Sequence, residues 1–284
     1  MKRHIKKALI IANLLKAEAG SIIHTIQETL GARGIATEVH GYEGKPISPV
    51  VPDIDLALSL GGDGTVLFTA RLVAEKGTPI LAVNLGDFGF ITEVSKDEWQ
   101  EAFDKYEAGI LGISERIMLT STVIREGREL CSYTGLNDAV ISAAGISKIV
   151  RLNIFLSNAN IGEYRADGVI VSTPTGSTAY SLAAGGPILD PEMDSFILNP
   201  ICPFTLSNRT LCIQGSELAA LEVQERQRAD IILTVDGQIA VPLKPKDIIR
   251  FKRAAYKALI IRSDKRTFYE VLKTKLNWAG GPDA

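Results

Sequence analysis

Up to about residue 112, the hydrophobic positions alternate between strand-like runs and helix-like spacing. Ile22, Ile23, Ile26 and Leu30 recur as on one face of a helix, and Gly34 follows as a stop signal. Short connections between such strands and helices are typical of a parallel sheet with right-handed crossovers. The predicted strands are residues 8–14, 55–60 and 79–84, and the predicted helices are residues 17–33, 65–76 and 99–107.

From about residue 113 the hydrophobic period changes to nearly two. Many short strands separated by turn-rich segments indicate an all-β, sandwich-like domain. The predicted strands are residues 117–124, 139–142, 148–156, 168–172, 231–235, 239–243 and 248–252.

The fold class we predict is therefore an α/β N-terminal domain with a parallel sheet plus a C-terminal all-β sandwich-like domain. Residues 1–112 form the first domain and residues 113–262 the second. Residues 258–263 are apolar again, residues 267–276 have helical spacing, and residues 263–284 form a tail. The pattern does not decide which domain the tail joins. Packing of the tail against the N-terminal domain is one of the two alternatives.

Length and composition are those of an ordinary globular protein. A chain of 284 residues with 46% hydrophobic and 23% charged residues has room for two domains. A net charge of −2 argues against a protein that binds nucleic acid mainly through phosphates. With no apolar run of about 18 residues, we expect no membrane partner.

The N-terminus weakly resembles a signal peptide, because the basic residues 1–7 precede an apolar run. That run is short and ordinary α/β sequence follows it, so a buried first strand is the better interpretation and we expect a cytoplasmic protein. The cysteines form no CxxC pair and are expected to be reduced, buried side chains, and all histidines precede residue 41, which makes a zinc hydrolase improbable. The three cysteines are Cys131, Cys202 and Cys212.

The strongest chemical signal is the segment Gly61-Gly62-Asp63-Gly64-Thr65, between a predicted buried strand and a predicted helix. Glycines let a backbone approach phosphates, and a helix N-terminus offers N–H donors to them. Asp63 would repel phosphate, so it suits a proton acceptor or a partner of a phosphate-bound metal. The alternative is a plain glycine turn with Asp63 or Thr65 as helix cap.

Two common nucleotide-binding signatures are missing. There is no GxxxxGK[ST] segment, and no GxGxxG follows a first strand. A P-loop enzyme and a conventional dinucleotide oxidoreductase are therefore both disfavoured.

Four segments together resemble the NAD kinase family, in the family's order. They are GGDGT at residues 61–65, NLGDFGFIT at residues 84–92, Asn137-Asp138, and Asp167-Gly168 leading into TPTGSTAYS at residues 173–181. The resemblance covers residues 55–240, and the last segment is the most specific. It implies an active site between an α/β and a β-rich domain, and a homodimer or homotetramer in which neighbouring subunits help to form the dinucleotide site.

The resemblance also implies roles for individual residues. Asp63 would be the catalytic base on the 2′-hydroxyl of the adenosine ribose of NAD. Gly61, Gly62, Gly64 and Thr65 would bind donor phosphates. The remaining substrate-binding residues implied are Gly64, Asn137, Asp138, Lys148, Arg165, Asp167, Thr178, Ala179, Tyr180, Ser181 and Gln238, of which Lys148 and Gln238 are the weaker assignments.

Each assignment has a structural alternative. Asn137-Asp138 could be only a turn between strands, and Ser177 could be an N-cap after the strand 168–172. Asp236-Gly237 predicts a hairpin turn, so Gln238 could be structural, and Tyr180 could be a core residue.

Two positions depart from the family pattern. Asp138 stands where the family usually has glutamate, and Phe204 stands where it has histidine. Neither departure changes the role that the resemblance implies for Asp63, although either one could alter contacts with the substrate.

The resemblance implies Mg²⁺-dependent phosphoryl transfer from ATP or polyphosphate to NAD, with the divalent cation arriving on the donor. Lipid or sugar kinases that share the GGDG segment remain alternatives, as does a non-catalytic NAD-binding regulator.

Overall fold

The protein is described from a computed structural model that covers residues 2–43, 51, 53–86, 88–145, 149–205 and 207–278. The chain divides into two compact units. The first unit combines Met1–Glu115 with Lys257–Ala284, and the second is Arg116–Tyr256.

The strands within the described residues are numbered in chain order. They are β1 (Lys7–Asn13), β2 (Ala36–Tyr42), β3 (Leu56–Gly61), β4 (Pro79–Asn84), β5 (Val94–Ser95), β6 (Ile113–Arg125), β7 (Arg128–Gly135), β8 (Asp138–Ala143), β9 (Val150–Leu156), β10 (Ala159–Ala166), β11 (Gly168–Ser172), β12 (Ser195–Ile201), β13 (Leu211–Gln214), β14 (Ala219–Val223), β15 (Ile231–Val235), β16 (Ile239–Leu243) and β17 (Ile248–Ile261). The α-helices are Ala19–Ala32, Asp63–Val73, Trp99–Glu107, Tyr180–Ala183 and Phe268–Lys275, and 3₁₀-helices span Ala74–Lys76 and Thr175–Thr178.

The first unit is built on a parallel sheet with the strand order β2–β1–β3–β4. β5 and the last residues of β17 also pair in parallel with β4. Strands β1, β3 and β4 are almost entirely buried, as expected when helices cover both faces of a parallel sheet. Ile26, Leu30 and Phe103 pack from the helices into this core.

The second unit contains two antiparallel sheets that share one hydrophobic core. One sheet has the order β13–β12–β11–β8–β15–β16, and the other includes β10–β9–β14–β17. Leu152 and Leu221 of the second sheet join Val169, Val171 and Leu233 of the first in a single cluster of buried residues. Two sheets packed over a common core form a β-sandwich, so the predicted fold class is confirmed.

Five elements agree with the sequence prediction at both ends. β4, β11, β15, β16 and the helix Trp99–Glu107 begin and end at the predicted residues. The predicted strand at 248–252 and the apolar run at 258–263 are instead parts of one long strand, β17.

Seven strands were not predicted, and several of them are exposed or irregular. β2 and β7 each bury only one residue fully, and β10 contains polar residues and a register shift between Asn160 and Gly162. The others missed are β5, β12, β13 and β14.

The prediction that the three cysteines are buried is wrong. All three are free thiols, but Cys131 is only half-buried, and Cys202 and Cys212 are exposed. Among the residues described, no helix is both long enough and apolar enough to cross a membrane.

Candidate active site

The glycine-rich turn lies at the switch point of the parallel sheet. β1 pairs with β2 on one side and β3 on the other, and ligands of such sheets bind at the carboxyl ends of the two strands where the order reverses. Gly61 ends β3 beside Asn13, which ends β1. A Cβ atom at Gly61 would lie 2.2 Å from Thr65 Oγ1 and 3.2 Å from Asn13 Cβ, so packing requires glycine there.

Gly62 differs from Gly61, because a Cβ at Gly62 would meet nothing within 4 Å. Its backbone is extended, with φ −114° and ψ −170°, and would accept other residues. The space beside Gly62 is therefore open to a ligand. Gly64 is exposed in the same turn, whereas Thr65 is only 2% exposed.

Asp63 is the first residue of the helix Asp63–Val73. Gly62 is the N-cap, and no side chain caps the helix, so the alternative in which Asp63 or Thr65 serves as a cap is wrong. A carboxylate at this position is stabilised by the helix dipole.

The carboxylate of Asp63 is held by the backbone of residues 89–92. Oδ1 accepts hydrogen bonds from Ile91 N (3.1 Å), Thr92 N (3.1 Å) and Thr92 Oγ1 (3.2 Å). Oδ2 accepts one hydrogen bond, from Phe90 N at 2.8 Å. A carboxylate offers about four acceptor positions, so Oδ1 is fully used while Oδ2 keeps one position open.

In the second unit, Asn137 and Asp138 lie where β7 passes into β8. The carboxylate of Asp236 accepts hydrogen bonds from Leu136 N (3.0 Å), Asn137 N (2.8 Å) and Asp138 N (3.3 Å). Asp236 sits in the predicted hairpin turn between β15 and β16, where Asp236 and Gly237 both have positive φ. The hairpin is confirmed, and its aspartate also shapes the Asn137 turn.

The segment that begins at Thr173 packs over the same turn. Thr173 N donates to Asn137 O at 2.8 Å, and Thr173 Oγ1 donates to Leu136 O at 2.5 Å. A Cβ at Gly176 would lie 2.2 Å from Asn137 O, so this close approach requires glycine.

Two polar atoms at this contact are buried without a hydrogen-bond partner among the described residues. They are Asn137 Oδ1 and Thr175 Oγ1. Buried polar atoms are nearly always paired, so these two are candidates for contact with a ligand.

Asp138 is a buried carboxyl group, with only 6% of its surface exposed. Burial, and secondarily the charge of Asp236, raise the pKa of Asp138 from 3.8 to about 7. A strongly shifted titratable group beside unpaired polar atoms is typical of a functional site.

The four residues 178–181 have different environments. Tyr180 is 48% exposed, so the alternative that it belongs to the core is wrong. Thr178 and Ser181 are buried, and Ala179 is half-buried. Ser181 O accepts a hydrogen bond from Asn199 Nδ2 at 3.0 Å, so Ser181 supports the local backbone.

Ser177 does not act as a helix N-cap. The helix Tyr180–Ala183 has Ala179 as its N-cap, without a side-chain hydrogen bond. Ser177 Oγ instead accepts a hydrogen bond from Leu189 N at 3.0 Å.

Arg165 and Asp167 lie at the other end of β11. Ser172 pairs with Asp138, whereas Gly168 pairs with Ser142, about 13 Å away along the strand. The guanidinium of Arg165 lies 5.0 Å from the ring centre of Phe204, and its Nε is buried without a partner. The second unit thus does not bring Arg165 and Asp167 together with Asp138.

Arg165 also lines a cavity of about 210 Å³ with Ile149, Arg151 and Arg228. None of the three arginines forms an ion pair with a described residue. Three unpaired guanidinium groups around one cavity favour an anionic ligand.

The remaining predicted residues are Gln238 and Lys148. Gln238 follows the Asp236-Gly237 turn, and its backbone N–H donates to Val235 O at 3.0 Å. Lys148 lies outside the described residues.

Sequence reasoning missed Asp236 and Thr92 as residues that shape the site. From the sequence, Asp236 is interpreted only as part of an Asp-Gly hairpin turn, so a contact with Asn137 is not expected. Thr92 ends the NLGDFGFIT segment, but no sequence pattern indicates that its hydroxyl contacts Asp63.

A parallel-sheet unit with a glycine-rich turn at its switch point, followed by a β-sandwich unit, defines a class of nucleotide-binding proteins. Residues 50–110 match the family model for the ATP-NAD kinase N-terminal domain, and residues 136–263 match the model for the C-terminal domain. The chain belongs to the NAD kinase family.

Curated relatives and solved structures agree with this assignment. The chain is 43% identical to the NAD kinase of Treponema denticola, over 97% of this chain and 98% of the relative. It is 37% identical to the NAD kinase of Geobacter sulfurreducens, over 96% and 99%.

Two solved structures share the fold at lower identity. Yeast NADH kinase complexed with NADH superposes with a TM-score of 0.86 at 21% identity, covering 98% of this chain and 89% of that one. An NAD kinase from Archaeoglobus fulgidus in complex with ATP superposes with a TM-score of 0.76 at 22% identity, covering 95% and 98%.

Proposed function

We propose that this protein transfers a phosphoryl group from ATP, or from polyphosphate, to the 2′-hydroxyl of the adenosine ribose of NAD, giving NADP. The observation that carries the proposal is the carboxylate of Asp63, held at a helix N-terminus with Oδ2 open to a further hydrogen bond. The names of the curated relatives support NAD as the acceptor, and the matching family models are named for both ATP and NAD.

Asp63 acts as the general base in this proposal. The ribose hydroxyl donates its proton to Oδ2 of Asp63 while its oxygen bonds to the γ-phosphorus. The bond from that phosphorus to the bridging oxygen breaks, and its electron pair leaves with ADP. Because the transition state is loose, catalysis comes mainly from positioning and charge neutralisation.

The donor phosphates bind at the turn Gly61, Gly62 and Gly64 in this proposal. The open space beside Gly62 and the N-terminus of the helix Asp63–Val73 favour an anion there.

In this proposal a divalent cation reaches the turn bound to the phosphates of the donor. The described residues hold no group of three His, Cys, Asp or Glu side chains able to form a metal site, whereas Mg²⁺ commonly binds through substrate phosphates and water. The same glycines would hold the cation through the phosphates, and it would neutralise their charge.

We propose that the ammonium group of Lys16 binds the donor phosphates. The turn of residues 61–65 has no basic residue, unlike a P-loop with its lysine. Lys16 follows β1 at the same switch point, and a Cβ at Gly86 would lie 3.5 Å from Lys16 Nζ. Gly86 follows Leu85, whose N–H donates to Gly61 O at 3.0 Å. Lys16 forms no ion pair with any described residue.

We expect Lys16→Gln to raise the KM for ATP about 10-fold, because a charge-assisted contact is lost. The KM for NAD should change by less than about 2-fold. Lys6→Gln, an exposed lysine on the chain before β1, is the control and should change neither constant. A Lys16→Gln enzyme with an unchanged KM for ATP would exclude this role.

The second unit binds the adenosine part of NAD in this proposal. Asn137 Oδ1 is an unpaired acceptor suited to an amino group of the base. Asp138 accepts hydrogen bonds from ribose hydroxyls, and Tyr180 offers an exposed aromatic face. Thr178, Ala179, Ser181 and Gln238 complete this part of the site.

In this proposal the protein forms a homodimer or homotetramer, and Arg165 and Asp167 bind the dinucleotide of a neighbouring subunit. Their distance from Asp138 along β11 supports a role in the dinucleotide site of a neighbouring subunit. The cavity with three arginines would there bind phosphates of NAD. We also propose a cytoplasmic location, because exposed free cysteines suit a reducing compartment.

Thermal unfolding separates this proposal from a lipid or sugar kinase. NAD at about 100 times its Kd should stabilise the native protein by about 2.7 kcal/mol and raise the Tm by several degrees. Fructose 6-phosphate and diacylglycerol should leave the Tm unchanged. A rise with either of them and none with NAD would support the rival kinases, and a rise with NAD without turnover would support a regulator.

A further inference from the structure

We infer that Thr92 and Gly89 are positioning residues that fix the carboxylate of Asp63 in one orientation, with Oδ2 facing the substrate. The inference rests on the proposed function, because Asp63 is there the proton acceptor. It concerns a loop for which sequence reasoning assigned no catalytic role.

The hydroxyl of Thr92 connects the loop to the carboxylate. Thr92 Oγ1 accepts a hydrogen bond from Gly89 N at 2.9 Å and donates one to Asp63 Oδ1 at 3.2 Å. Because the Gly89 N–H occupies a lone pair, the hydroxyl proton is directed towards Asp63. Thr92 has no exposed surface, so water does not compete for this hydroxyl.

Gly89 leaves the space that the carboxylate occupies. A Cβ at Gly89 would lie 1.9 Å from Asp63 Oδ1 and 2.3 Å from Asp63 Cγ. Gly89 is not among the glycines with positive φ, so its backbone conformation does not by itself demand glycine. The position of the Asp63 side chain is what excludes a larger residue.

The loop is also braced from its other side. The guanidinium of Arg266 lies 4.2 Å from the ring centre of Phe88, and its Nη1 donates to Glu93 O at 3.0 Å. Arg266 is fixed in turn by two hydrogen bonds to the Glu98 carboxylate, at 2.7 and 3.0 Å. Both ends of the Asp63-binding segment are therefore held by the C-terminal part of the first unit.

This arrangement assigns different tasks to the two carboxylate oxygens. Oδ1 accepts three hydrogen bonds and anchors the side chain, whereas Oδ2 accepts one and keeps a position for the ribose hydroxyl. If the carboxylate rotates, the open position no longer faces that hydroxyl. The loss should then appear in kcat, because the contacts that bind ATP and NAD remain.

The test compares kcat and KM for NADP formation by Thr92→Val, Thr92→Ser and the wild type. Valine keeps the shape of threonine without the hydroxyl, so kcat should fall about 10- to 100-fold, as for a lost hydrogen bond to a charged group. Both KM values should stay within about 2-fold. Serine keeps the hydroxyl and should restore kcat to within about 3-fold of the wild type.

Several outcomes would overturn the inference. An unchanged kcat for Thr92→Val would show that the hydroxyl does not position Asp63. Equal losses for valine and serine would show that the methyl group matters through packing. If the valine variant folds poorly, the crystal structure of Gly89→Ala tests the inference instead.

Crystal structures of Thr92→Val and Gly89→Ala provide a readout that does not depend on turnover. We expect the Asp63 carboxylate to be rotated in both, and an unmoved carboxylate would contradict the inference. If the wild type forms no NADP but the carboxylate rotates, the proposed function fails while the positioning role stands. If the wild type is active and the variants are unaffected, only the positioning role fails.

Discussion

Asp63→Asn is expected to lower the turnover number for NADP formation by about 10²- to 10⁴-fold, which is the usual contribution of a general base. Asparagine can still accept the hydrogen bonds made to Oδ1, but its amide nitrogen replaces the proton acceptor Oδ2. The same change leaves Phe90 N, now 2.8 Å from Oδ2, without its acceptor. Steady-state kinetics of the purified variant give kcat, and the Tm shift with NAD shows whether binding persists.

Glu75→Gln is the matched control, because it neutralises an exposed carboxylate in the 3₁₀-helix that directly follows the helix Asp63–Val73. The control should retain the wild-type kcat. If Asp63→Asn also retained it, Asp63 would lose the role of base, and the open position on Oδ2 would need another explanation.

Asp138→Asn is expected to stabilise the protein at pH 8 by on the order of 4 kcal/mol, because the pKa of Asp138 is raised from 3.8 to about 7. Burial opposes the charged form, and the nearby charge of Asp236 adds repulsion. Asparagine is nearly isosteric and neutral, so it removes the cost of ionising a buried group.

The dependence on pH follows from the direction of this shift. Between about pH 4 and pH 7 the folded protein binds the Asp138 proton more tightly than the unfolded chain does. The contribution of Asp138 to stability therefore falls as the pH rises through this range and stays low above it. The advantage of Asp138→Asn should be small at pH 4, grow towards pH 7 and then level off, as measured by urea unfolding at a series of pH values.

Asp236→Asn is the control for this experiment and should change stability in the opposite direction. The Asp236 carboxylate accepts three backbone hydrogen bonds, through both of its oxygens, and an amide cannot replace them all. A gain for Asp138→Asn that does not vary with pH would exclude the ionisation of Asp138 as its cause.

A buried carboxyl group that lowers stability suggests a functional reason for keeping it. We expect Asp138→Asn to weaken NAD binding about 10-fold at pH 8, because the ribose hydroxyls lose a charged acceptor. The same substitution would then increase stability and reduce affinity.

Several strongly buried elements could be predicted from the sequence, although the largely buried strands β12 and β14 were missed. The buried strands β4 and β11 and the amphipathic helix Trp99–Glu107 carry patterns that local sequence determines. Most side chains of β2 and β7 are exposed or half-buried, so the strand conformation depends on pairing with neighbours that the sequence does not reveal.

The candidate site was predictable in its segments but not in its contacts. Residues 61–65 stand out by their glycines, and residues 137–138 and 173–181 by their resemblance to the NAD kinase family. Asp236, however, reaches Asn137 only through antiparallel pairing of strands about 100 residues apart. Thr92 reaches Asp63 because β3 and β4 are neighbours in the sheet. Such contacts depend on tertiary structure, which neither periodicity nor spacing records.

Formation of NADP from NAD, ATP and Mg²⁺ by the purified protein tests the central proposal most directly. ATP labelled in the γ-phosphate identifies the donor, and an NADP-specific dehydrogenase identifies the 2′-phosphorylated product. We predict that the label appears in NADP with the wild-type protein and nearly disappears with Asp63→Asn. Folded wild-type protein that forms no NADP, even with polyphosphate as donor and NADH as acceptor, would contradict the proposed function.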